Sequence, residues 1–487
     1  MPKINWSILW GVLVTIIFFV LLAIRLEFFF KKTETVETLT EAITQKPSDT
    51  WMNIYQKNNK IGFVHRTFAI MDKGFHYNET TIMQINTMGV TQALHINTEG
   101  DLNPDMTVSS FNFDLNSSLF RFNVHGFVVK NKLILYIGTP GSQQKSEITL
   151  QAIPHMSGSI YDAAFHANQA KDTTSSFSIF DPATLGLRSI KVTRNADEII
   201  PVIGKLILTQ KYCADFMGAK NCAWLDKTGD ILKETGIMGL SMEKVSPQKA
   251  QEGINRDDTI DFTEFASVPA NIKIDEPSKL DEIRIRISGI RGLLLFLNGG
   301  RQNLYRDILT IKREHLSTAP LSGNNLPKEI TKYLQASPLV QADDPQIKAQ
   351  VTKIIRASDS SEQKTKKIVS WVYHNIKKEP VLSVPNAVEV LKNKVGDCNE
   401  HAVLVTALLR AAGIPAQIET GLVYLRGRFY YHAWNVAYLG NWVTADAVFN
   451  QLPADVTHIR LIRGEGSEQL DLIGVMGKIK LEILTTS

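Results

Sequence analysis

The sequence lacks an excess of charge of either sign. Its 53 basic residues face 49 acidic ones, a formal net charge of +4 over 487 residues. With that balance, and no basic stripe interleaved with aromatics, nucleic acid is excluded as a partner. A phosphate-cradling loop is also lacking. The glycine-punctuated stretch "GIRGLLLFLNGGRQ" reads as β and has no Lys-Ser/Thr after it. Clustered metal ligands are lacking too: His65, His76, His95, His125, His155 and His166 are scattered through the first half. No metal and no cofactor is therefore expected. Cysteine is scarce, with three in the whole chain. Cys213 and Cys222 fall on either side of an apparent hairpin. They are either a disulfide, which implies an oxidising compartment, or two reduced core cysteines. Cys398 is left over.

Charge is also lacking locally. "INWSILWGVLVTIIFFVLLAI", from Ile4 to Ile24, has none, with Lys3 before it and Arg25 after it. Those residues would span roughly 30 Å as a helix, one hydrocarbon core. Trp6 and Trp10 suit the interfacial belt. With no small-residue cleavage site following, the stretch reads as an uncleaved anchor rather than a signal peptide. The expectation is a single-pass inner-membrane protein with an extracytoplasmic (periplasmic) catalytic domain, although Arg25, Lys31 and Lys32 argue for the opposite orientation.

What is present is a composition with real cores, 44% hydrophobic and 21% charged. Residues 25–50 read as a linker. From 51 to 265, runs such as "KIGFVHRTFAI", "LFRFNVHGFVV" and "KLILYIG" alternate β-branched and aromatic residues between Gly, Asn and Asp. They predict an antiparallel β-rich domain, which carries no chemistry of its own and is a surface for an envelope partner. Residues 266–324 read as a β connecting segment. Near 325 the periodicity turns helical. Ile347, Val351, Ile354 and Ile355 keep one helical face behind Pro345, and Ser360 to Gln363 forms a capping-box pattern. Residues 461–487 read as a β tail. The fold class expected is α+β: a transmembrane helix, the β-rich domain and a C-terminal α+β domain over 325–460.

The chemistry concentrates in "KNKVGDCNEHAVLVTALLRAAGIPA". Gly396 and Asp397 break the chain, and Asn399 to Ala412 is helix-forming, with Gly413 and Pro415 as the stop. Cys398 therefore opens a buried helix, where unpaired amides favour a thiolate while Asp397 and Glu400 oppose it. A nucleophilic cysteine needs a histidine base and an orienting group. His432 and Asp446 follow on successive predicted strands. A two-residue loop at Gly440-Asn441 would put them on opposite faces of the hairpin. A three-residue loop, Leu439 to Asn441, would pair Trp434 with Asp446 and make His432 a same-face neighbour. His401 invites a metal reading, but a Cys398–His401 pair has no matching pair elsewhere.

"GDCNEHAVLVTALLRAAGIPA" followed by "YYHAWNVAYLGNWVTADAVFNQ" closely resembles the transglutaminase-like superfamily, a branch of the papain-like cysteine enzymes. The resemblance covers about 325–460, and the anchor and β-rich front resemble bacterial membrane-anchored members. It implies Cys398 as nucleophile, His432 as base and Asp446 as orienting acid, attacking peptide or protein amides through a thioester. Hydrolysis and transamidation stay open. The Cys398 amide is an expected oxyanion donor, with Trp371, Trp434 and Asn435 as further candidates. The competing reading is a membrane-tethered binding or scaffold protein with a catalytically silent domain.

Overall fold

The computed structural model describes residues 47–487 apart from 88, 118–119, 139–142, 168–169, 217–218, 237–238, 254–260, 291–294, 317–325, 382–383, 385 and 466–475. The expected anchor, Ile4–Ile24, lies outside the described residues. Among the described residues no helix is long and apolar enough to cross a membrane. Two expectations are corrected on that finding. The fold class becomes β-rich with a transglutaminase-like α+β part and no supported transmembrane helix, and the single-pass inner-membrane localisation is not supported. The sequence reading rested on the hydropathy of that segment alone.

The first part is one large sheet. Strands from Ser48–Gln56 to Gln144–Thr149 pair consecutively and antiparallel, and Leu240–Lys244 returns to pair with Ser48–Gln56. Period-2 alternation decides which face is buried: Leu133, Leu135 and Ile137 face the core between less buried neighbours. Phe111, Phe180, Tyr77 and Leu135 join the helix Ile160–His166 in that core. Gly126 is required there, because a Cβ would lie 2.3 Å from the Phe111 ring. Cys213 and Cys222 sit directly opposite each other on adjacent strands and form a disulfide.

The connecting segment and the tail share a sheet. Gln302–Tyr305, Ile308–Lys312, Glu282–Ser288 and Lys480–Thr486 lie side by side. Ile283, Ile285 and Ile287 turn inward while Arg284, Arg286 and Ser288 stay exposed. The buried side packs on Leu422, Phe429 and Ile459, so this small sheet backs the strands that carry the site.

The helical part is built around Cys398–Ala411. Ser360 and Gln363 cap the helix Ser361–Asn375 reciprocally, and Asn386 caps Ala387–Asn393. With Pro345–Ile354 they enclose the central helix, burying Ile347, Ile368, Val372, Leu404 and Leu408. Each such side chain contributes about 1.5–3 kcal/mol by leaving water. The strands Ala416–Leu425 and Arg428–Tyr438 form an antiparallel hairpin beneath that helix. Trp442–Ala445 and Ile459–Arg463 pair on either side of the hairpin.

Candidate active site

Cys398 is placed by its neighbours in sequence. Asp397 precedes the helix with extended backbone and accepts from the Asn399 N–H at 2.8 Å, while Glu400 Oε2 accepts from the Asp397 N–H at 2.9 Å. This capping box fixes where the helix starts. Glu400 can fold back only because residue 396 is glycine: a Cβ there would lie 2.2 Å from the Glu400 Cβ. Cys398 is then the first helical residue, half-buried, and its amide has no acceptor within the helix. Glu400 to Arg410 are all buried, so the mount is rigid.

His432 and Asp446 meet through the turn between their strands. Tyr438 pairs with Trp442 and Asn435 with Ala445, leaving the three-residue connection Leu439–Asn441 with Gly440 at φ 98°. Continuing that register sets Trp434 opposite Asp446 and His432 on the same face. Their side chains bond, His432 Nε2 to Asp446 Oδ2, at 2.7 Å. Asp446 Oδ1 accepts from the N–H of Val448 at 2.6 Å and Phe449 at 3.2 Å. Cys398 lines the same cleft as His432, and the Ala433 backbone amide beside His432 lowers its pKa. With Nε2 bonded to Asp446, the other imidazole nitrogen of His432 is Nδ1.

Sequence reasoning missed His458. It is fully buried, and its Nε2 lies 3.0 Å from the same Asp446 Oδ2, while Nδ1 lies 3.3 Å from Asp455 Oδ1. Asp446 therefore carries two imidazoles on one oxygen. Burial favours the neutral imidazole, but the carboxylates of Asp446 and Asp455 overcome it and push His458 up to about 9. Burial would likewise raise Asp446, and His432 and His458 outweigh it, holding the carboxyl well below the usual range. For Cys398, burial and the charges of Asp397, Glu400 and Asp446 push the thiol up, against the Ala433 amide. The resting group is thus a thiol.

His458 lies 12 residues past Asp446, directly before the strand Ile459–Arg463, in a stretch with no motif spacing. The available signal was Gly421. It pairs with His432, and a Cβ there would lie 2.0 Å from the Ile459 carbonyl oxygen. That glycine lets the strand carrying Ile459 close on the hairpin and seat His458.

Two of the proposed oxyanion donors are engaged elsewhere. Trp434 Nε1 donates to buried Glu419 at 2.9 Å, which also accepts from Arg463 Nε at 2.8 Å. Asn435 Nδ2 donates to the Ala402 carbonyl and to Thr406 Oγ1, both at 2.8 Å. Trp371 packs against the helical core. The ligand atoms of His432, Asp446 and His458 lie within 4.8 Å of one another and could hold a cation, but only by giving up the hydrogen bonds just described.

Cys398, His401 and His432 line a cleft of about 400 Å³ with Tyr430, Tyr431 and Phe449. The short helix Phe262–Ala266 closes one wall.

Part of the sequence matches a known family. Residues 348–447 match the model of the transglutaminase-like superfamily, so the chain carries a transglutaminase-like domain there. Among solved structures, a candidate cysteine protease from Cytophaga hutchinsonii is 17% identical, over 43% of this chain and 84% of that one, at a TM-score of 0.27. The periplasmic domain of TgpA from Pseudomonas aeruginosa is 17% identical over 35% and 73%, at 0.23. A β-barrel-like protein of a domain of unknown function from Brucella abortus is 11% identical over 42% and 98%, at 0.33. No curated protein matches the sequence.

Proposed function

We propose that the chain is a cysteine-dependent acyl-transfer enzyme acting on peptide or protein amides. The observation that carries this reading is the His432–Asp446 bond at 2.7 Å, with His432 and Cys398 lining one cleft. In the proposed reaction His432 Nδ1 takes the thiol proton as sulfur attacks the carboxamide carbon. The Cys398 amide stabilises the oxyanion. The protonated His432 then gives its proton to the departing amine or ammonia, leaving a thioester on Cys398. Water or an amine, deprotonated in turn by His432, resolves the thioester. Asp446 orients His432 and stabilises its imidazolium.

The test is to incubate the protein with a mixture of peptides containing backbone and side-chain amides, with and without a primary amine, and weigh the products. New carboxylates mark hydrolysis and amine adducts mark transamidation. Cys398→Ala and His432→Ala should each abolish product. Products unchanged in Cys398→Ala would overturn the proposal.

A further inference from the structure

His401 has no part in the reaction proposed above, yet it lines the same cleft one helical turn beyond Cys398. It is 1% exposed. Its Nδ1 lies 2.6 Å from the Asp397 carbonyl oxygen. A carbonyl can only accept, so Nδ1 carries the hydrogen and Nε2 of the neutral ring is a bare acceptor. Nε2 has no hydrogen-bond partner in the structure. Burial and the Lys378 ammonium lower the pKa of His401 and keep the ring neutral, against the Asp397 carbonyl. A buried acceptor left unpaired costs about 1–3 kcal/mol, so the site gains when a donor arrives.

The surroundings select the donor. Asp261, Glu264, Glu379 and Asp397 line this cleft. Glu379 is ion-paired with Lys377. Among the described lining residues the opposing cation is Lys378, whose ammonium sits 3.7 Å from the centre of the Tyr373 ring. Carboxylates therefore outnumber ammonium groups around a neutral acceptor, and aromatic Tyr430, Tyr431 and Phe449 supply the apolar wall.

Building on Cys398 as nucleophile, we propose that the cleft selects substrates bearing a protonated amine beside the reacting amide, with His401 Nε2 accepting its N–H. His401 is then a specificity-determining residue rather than a catalytic one.

Cys398 is the free thiol, the other two cysteines being paired. Its reaction with thiosulfonates, in which sulfur displaces a sulfinate to leave a mixed disulfide, reads the cleft without any substrate. The probes are aminoethyl, trimethylammonioethyl, sulfonatoethyl and methyl methanethiosulfonate, with rates normalised to a small free thiol. The aminoethyl reagent should outpace the sulfonate by about 10-fold or more. It should outpace the trimethylammonium reagent, which has the charge and no N–H, by about 3–10-fold, one hydrogen bond's worth. His401→Asn keeps a donor for the Asp397 carbonyl and removes the Nε2 acceptor, so it should level the two cations. His401→Gln places an acceptor near Nε2 and should keep them apart. Equal rates for ammonium and sulfonate, or the reverse behaviour of the two variants, would overturn the selectivity and leave the nucleophile reading standing. Failure of all four reagents would overturn that reading and the selectivity with it.

Discussion

Asp446 and Cys398 are governed by charges a few ångströms away, and both make predictions at the scale of single residues. Asp397 raises the thiol and caps the helix. Asp397→Asn keeps a capping acceptor and removes the charge, so iodoacetamide should alkylate Cys398 several-fold faster at pH 7. An unchanged rate would mean that burial alone sets the thiol. His458 carries a folded pKa of about 9 against an ordinary value of 6.5. Its protonated form is favoured in the fold, so the stability it contributes is full below pH 6.5 and is lost as pH rises through 9. The stability gap between wild type and His458→Gln in urea unfolding should be about 2–3 kcal/mol at pH 6 and shrink by pH 9.5. At this scale Cys398, His432 and Asp446 were legible because each sits beside strong local signals: a Gly-Asp helix start, a strand, a turn. His458 was not legible, because its partner Asp446 is reached through tertiary closure and not through spacing.

At the scale of elements, the hairpin turn decides which face each side chain takes. The three-residue connection Leu439–Asn441 keeps His432 and Asp446 on one face. Deleting Gly440 would leave a two-residue turn, shift the register by one and send them to opposite faces. Product formation should fall to background while the circular-dichroism spectrum stays strand-rich; retained activity would show that the register does not set the site. Gly421→Ala would press a Cβ against the Ile459 carbonyl. Moving that strand should cost about 2 kcal/mol or more, read as a lower urea midpoint. The helices, their caps and the strand–turn–strand order were legible from periodicity and punctuation. The pairing of Lys480–Thr486 with Glu282–Ser288 was not, because pairing across so much sequence leaves no local trace.

For the whole molecule, the β-rich part holds a buried ionisable group that the site never uses. Asp162 is 5% exposed, and its Oδ2 has no hydrogen-bond partner. Burial pushes its pKa up to about 7, against the opposing Arg66 guanidinium. The folded state thus holds a proton that the unfolded state releases between about pH 4 and 7, and stability falls across that window. Asp162→Asn should be more stable than wild type at pH 8 by about 1–3 kcal/mol, with the gap closing near pH 4. A pH-independent gap would contradict this account. The anchor expected from Ile4–Ile24 rests on hydropathy alone, and among the described residues no helix is long and apolar enough to cross a membrane.

The most direct test of the central claim is the mass of Cys398 itself. The protein is incubated with peptide amides, quenched in acid within seconds and digested, and the peptide bearing Cys398 is weighed. An acyl adduct on Cys398 that hydroxylamine removes is expected, absent from His432→Ala. A Cys398 peptide without an adduct, while amide products still accumulate, would contradict it.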